Sequence, residues 1–165
     1  MRHRTFWARF FLVASILTAA LIFWFSAQHG EDSQVMSDGI TMQVARMLKP
    51  DLQQMPEAAR VSYLELLSLI IRKNAHFCEF MLLGFNLMGY MRFRDAGMTE
   101  RRCRQWAWGI ATLYAATDEL HQLFINERSA QVLDVLIDSA GSLAGTLVMT
   151  LALALLARVM RRRSA

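Results

Sequence analysis

The sequence predicts an all-α protein, a four-helix transmembrane bundle with a short amphipathic helix in its first outer loop. Three observations predict it. Hydrophobic residues make up 55% of the 165 positions, a high share for a soluble domain of this size. Two runs, residues 10–27 and 139–157, hold no charged residue, and each is long enough to cross ~30 Å of hydrocarbon at about 1.5 Å per residue. Finally, 12 of the 18 basic residues fall into three clusters: Arg2, Arg4 and Arg9; Arg92, Arg94, Arg101, Arg102 and Arg104; Arg158, Arg161, Arg162 and Arg163. Basic residues that flank spans collect on the cytoplasmic side. Four spans with both termini inside put all three clusters there, whereas two spans would strand the middle one. The expected spans are residues 8–28, 70–91, 105–125 and 135–157, within a single domain covering 1–165.

The first span begins after basic residues and ends on Ser26 and Ala27, which resembles a secretory signal. Its apolar run is long and Phe25 stands where a small residue is wanted for cleavage, so it reads as an uncleaved anchor. The outer segment that follows contains "SDGITMQVARMLKP". Ser37 or Asp38 is its expected N-cap, Ile40, Val44, Met47 and Leu48 recur at helical spacing, and Pro50 lies just past the end. It reads as an amphipathic helix lying on the membrane or over the bundle. Pro56 suits the first turn of a further helix, which runs through Val61, Leu64 and Leu67 into span two. Cys103 falls in the cytoplasmic loop, far from Cys78 in span two, so no disulfide is expected between them. "NERSAQ" is a short connection, which makes spans three and four antiparallel neighbours. Span four carries Gly141 and Gly145, a GxxxG spacing that admits close packing within the bundle or an interface with a second copy or another protein.

Spans two and three are interrupted by ionisable residues. Counted outward from Arg92 and Arg104, Glu79 and Asp118 lie ~20 and ~21 Å into the membrane, His76 and Glu119 close to that level, and Arg72, Lys73, Gln122 and Asp138 nearer the outer boundary, with Asp134 one turn above. Arg72, His76 and Glu79 share one helix side, Asp118 and Gln122 another, and Asp134, Asp138, Gly141 and Gly145 a third. Charged groups facing lipid cost about 2.5 to 3.5 kcal/mol each at mid-membrane. These stripes are therefore expected to face one another around an outward-opening polar pocket. Ion pairing between helices is the structural alternative, but burying many charges is a poor device for stability alone.

Three blocks carry a family resemblance: "IFWFSAQHGEDS" at 22–33, "RKNAHFCEF" at 72–80 and "DELHQLFINERSAQVLDVLIDSAGSLAG" at 118–145. They resemble the VanZ-like family, small polytopic bacterial membrane proteins associated with resistance to the glycopeptide teicoplanin. Lys73, His76 and Glu79 fit the second block, and Asp118, Glu119, His121, Gln122, Phe124, Arg128, Asp134, Asp138 and Gly141 the third. Glu127 departs from the glycine usual before Arg128. The resemblance implies a multi-pass protein of the bacterial cytoplasmic membrane.

Glu79, Asp118, His76 and Glu119 are the candidate acid–base cluster, since general catalysis needs an acid beside an ionised base. Arg72, Lys73, His121, Gln122, Arg128, Asp134 and Asp138 are the candidate ligand-binding residues, with the cations set to hold phosphate or carboxylate. The expected partners are membrane lipids and a lipid-linked envelope precursor or glycopeptide-type ligand. Neither Cys78 nor Ser129 has an evident activating partner, so binding with and without chemistry both stay open. No metal is assigned: divalent ligand types are present, but the spacing matches neither HExxH nor a di-metal ExxH signature. Nucleic acid is excluded for want of a binding motif. A non-catalytic scaffold that modulates another envelope enzyme is the alternative function.

Overall fold

The computed structural model describes residues 2–27, 30–124 and 131–163, with side chains at 3–27, 38–124 and 131–163. These residues form five α-helices and no strand: α1 (Arg2–Ser26), α2 (Gly30–Leu48), α3 (Glu57–Arg94), α4 (Glu100–Gln122) and α5 (Val132–Arg163), with a single 3-10 turn at Leu52–Gln54. Two of them, over His3–Ser26 and Val132–Arg163, are long and apolar enough to cross a membrane.

The central element is α3, at 38 residues about 57 Å long. Pro56 precedes its first residue, and the chain turns extended at Asp95 to end it. Each of the other helices packs on α3. Side-chain contacts fix their directions. Arg4 donates to the Arg92 carbonyl, Phe11 stacks on Phe93, and Asn86 Nδ2 donates to Thr18 Oγ1 at 3.2 Å, so α1 runs antiparallel to α3. Phe77 meets Gly141, Met81 meets Gly145 and Met149 meets Gly89, so α5 runs parallel to α3. Helix α4 opposes α5, with Trp108 and Thr112 at Ser139 and Glu119 at Gln131. This alternation carries the starts of α1 and α4 and the ends of α3 and α5, with their arginine clusters, to one end of the molecule.

Small residues let the helices approach. A Cβ added to Gly84 would strike the Ser142 carbonyl, one at Gly141 the Phe77 carbonyl, and one at Gly145 the Met81 carbonyl. The GxxxG surface of α5 is thus filled by α3 of the same chain. On α4, Cys103, Ala107, Ala111 and Ala115 repeat at four-residue intervals and are wholly buried, in one core with Phe80, Leu83, Leu87 and Met88 of α3. Cys103 therefore belongs to a packed helix rather than to the loop in which the sequence reading set it.

Helix α2 begins at Gly30, well before the predicted cap at Ser37 or Asp38. No proline or glycine lies between Glu31 and Asp38 to stop the helix from extending. Its buried contact also differs from the predicted stripe: Thr41 and Ala45 are covered, with Val44 half-buried, while Ile40, Met47 and Leu48 are exposed. Ala45, Leu52 and Leu67 form a second small core there, flanked by Val44, Tyr63 and Leu64. This core rests on the first third of α3, beyond the polar stretch.

Candidate functional site

The polar residues of α3, α4 and α5 converge in one layer at the end of the molecule opposite the arginines. Asp118, Glu119 and Asp138 are almost completely enclosed, at 3%, 4% and 1% exposure. Asp118, Glu119, Asp134 and Glu79 all act on Asp138 through space, and Asp118 acts likewise on Glu79. Three separate helices thus bring five carboxyl groups within electrostatic reach of one another. Their heights agree because α3 and α5 run in step while α4 returns against both.

The local partners are few and specific. Asp118 Oδ2 accepts from Ser26 Oγ at 2.6 Å and from Gln122 Nε2 at 3.2 Å, and Gln122 Nε2 also reaches Ser26 Oγ at 3.1 Å. Ser26 is fully buried. It closes the layer from α1 and joins the first helix to the polar stripe of the fourth. Glu119 Oε2 accepts the Gln131 backbone N–H at 2.9 Å, just before α5 begins. Lys73 pairs with Asp134. His76 Nδ1 lies 3.9 Å from Glu79 Oε2, one helical turn along α3. Asp118 Oδ1, Glu79 Oε2 and both oxygens of Asp138 are buried without a hydrogen-bond partner among the described residues.

Not every candidate joins the layer. Arg72 is exposed, although it lies on the helix side that carries His76 and Glu79. Its neighbour Lys73 turns instead to Asp134 of α5. His121 turns toward α1, where its ring stacks on Phe23 with centroids 4.9 Å apart. Arg128, Glu127 and Ser129 lie outside the described residues. Cys78 is exposed and both cysteines are free.

Several contributors were not singled out from sequence. In the sequence Ser26 reads only as a small residue at the end of span one; its place in the first block that carries the family resemblance, four residues after Ile22, which is also fully buried, is the available signal. Ser139 accepts from Trp108 Nε1 at 3.1 Å and shares a 2.9 Å hydrogen bond with Thr112, fastening α5 to α4 beside Asp138. Tyr114 donates to the Ala19 carbonyl at 2.7 Å, a further tie between α4 and α1.

Chemically, the arrangement is rich in acceptors and poor in cations. Among the described residues no three His, Cys, Asp or Glu side chains are grouped so as to hold a metal ion. Compared with known proteins, the chain matches a family model described as VanZ/LLP1 over residues 11–155. No curated protein matches it, and no solved structure does.

Proposed function

Because the chain belongs to the VanZ/LLP1 family, we propose that it is a four-span integral membrane protein of the bacterial cell envelope that binds a lipid-linked envelope precursor or a glycopeptide-type ligand through its carboxyl layer. In this reading α1, α3, α4 and α5 are the spans. The arginine-rich end faces the cytoplasm, where anionic headgroups favour it, and the carboxyl layer opens outward. Helices α3 and α4 are too polar to qualify alone, but Glu79, Asp118 and Glu119 are turned inward among the helices, which is the condition under which such residues are tolerated.

The single observation that carries the proposal is the enclosure of carboxyl oxygens without partners in a layer built by three helices. Buried acids without partners are costly, and a chain that needed only to hold its helices together has cheaper means, as the glycine and alanine contacts below the layer show. The reading is one of binding, on the acceptors that the layer offers.

Mass spectrometry of the purified protein in a mild detergent tests this. The wild type is expected to retain an envelope lipid or precursor in stoichiometric amount, and Glu79→Gln and Asp118→Asn, at equal protein yield, to retain at least fivefold less. Equal retention by both variants would remove the layer from binding. The scaffold reading would then stand.

A further inference from the structure

We infer that the chemical group received by the carboxyl layer is a primary ammonium carried on an amphiphile, rather than a phosphate. The inference rests on the ligand-binding reading above and specifies the group that enters. Its basis is an imbalance of both charge and hydrogen-bonding capacity. Five carboxyl groups, of Glu79, Asp118, Glu119, Asp134 and Asp138, act on one another. The described cation that meets them directly, Lys73, is engaged with Asp134, and His76 stands beside Glu79. Asp118 Oδ2 and Glu119 Oε2 have donors.

Asp138 is the second, independent observation. At 1% exposure it is the most enclosed of the acids, and neither oxygen has a hydrogen-bond partner among the described residues. Asp118 Oδ1 and Glu79 Oε2 add two more unmatched acceptors, from α4 and α3. What these four oxygens lack among the described residues is a hydrogen-bond donor, and five acids within reach of one another favour a cationic one. A phosphate brings acceptors and negative charge, and so worsens both deficits. A quaternary ammonium brings charge without N–H. A guanidinium presents its donors in a flat fork suited to one carboxylate in its own plane. A primary ammonium is compact and points three N–H groups in three directions, which suits acceptors arriving from three helices.

An amphiphile follows from the surroundings of the layer. Leu120 of α4 and Leu133 and Leu136 of α5, within a few residues of Asp118 and Asp138, are exposed, so a ligand that extends away from Asp138 lies against apolar surface. Arg72, exposed at the rim, remains available for an acidic group elsewhere on the same molecule.

The test uses the full-length protein in dodecyl maltoside at neutral pH, with its unfolding temperature as the readout. Three ten-carbon probes are compared: decylamine, decyltrimethylammonium and decanol. Decylamine is expected to raise the midpoint saturably, by about 5 °C at a hundredfold excess over its dissociation constant. The trimethyl analogue and the alcohol are expected to give no saturable rise. Asp138→Asn is expected to weaken the decylamine response at least fivefold. If that variant does not fold, Glu79→Gln and Asp118→Asn serve for the same comparison. Equal responses to decylamine and its trimethyl analogue, no response in the wild type, or a full response in every folded variant would each overturn the inference. A wild type that ignores amines yet carries an envelope lipid lost in Glu79→Gln would discard the ammonium and keep the binding proposal.

Discussion

Asp138 and Gly141 stand one turn apart on the same stripe of α5, and they belong to regions built by opposite rules. From Gly141 to Gly145 the helix meets α3 backbone to backbone, with glycines at 84, 141 and 145 leaving no room even for a methyl group. Around Asp138 side chains are long, polar and partly unmatched. The first region is satisfied within the chain. The second is satisfied only in part. That contrast teaches where stability and function reside: packing supplies the scaffold cheaply, and the charged layer is a departure from it that packing must support.

The largest expected effect breaks the packed side of the comparison. Gly145→Val places branched carbon against the Met81 carbonyl and Phe85 nitrogen, contacts that backbone cannot relieve by changing rotamer. Its cost is expected at or above the top of the usual overpacking range, about 3 kcal/mol, read as loss of monodisperse protein on detergent gel filtration. Next, Ser26→Ala removes the 2.6 Å hydrogen bond to Asp118. Bonds to a charged group are worth about 1.5–3 kcal/mol, so the unfolding midpoint falls, and it falls further when Gln122→Ala is added, because Gln122 is the remaining donor to that oxygen. Independent additivity of the two changes would disprove a shared network. Smaller still is Asp134→Ala, which strands the partly exposed Lys73 at a cost of about 1–2 kcal/mol, between exposed and buried pairs. The exchanged pair Lys73→Asp with Asp134→Lys is expected to recover most of the loss.

Much of the fold could be read from residue order. Charge-free runs marked α1 and α5, Pro56 marked the start of α3, and the three arginine clusters required the alternating directions that the helix contacts show. The glycines of α5 were visible too, though spacing alone did not decide whether α3 or another chain filled them. Other features escaped for physical reasons. Helix boundaries depend on what is absent as much as on caps, so α2 extends back to Gly30 because nothing halts it. The buried stripe of α4, Cys103 to Ala115, is made of residues too small to stand out in a hydropathy profile, yet their size is what allows α4 to approach α3. At the site, helical spacing correctly gathered Glu79, Asp118, Glu119 and Asp138, whose mutual action on Asp138 and Glu79 is seen in the structure. Arg72, which the same spacing set beside them, is exposed. Spacing could not supply Ser26, which reaches the layer from a helix that is otherwise apolar.

The smallest effect sharpens the comparison by using the same residue type in a different setting. Gly109 lies in the middle of α4, on its exposed side, and a Cβ added there meets nothing within 4 Å. It therefore has none of the packing reason that holds Gly84, Gly141 and Gly145 in place, while it keeps the disadvantage of glycine inside a helix, roughly 0.5–1 kcal/mol relative to alanine. Gly109→Ala is expected to leave ligand retention unchanged and to raise the unfolding midpoint by about 1–2 °C, whereas Gly141→Ala, one helix away, lowers it. If both substitutions moved the midpoint in the same direction, helix propensity rather than backbone approach would govern these glycines, and the close crossing of α3 and α5 would lose its role as the support of the carboxyl layer.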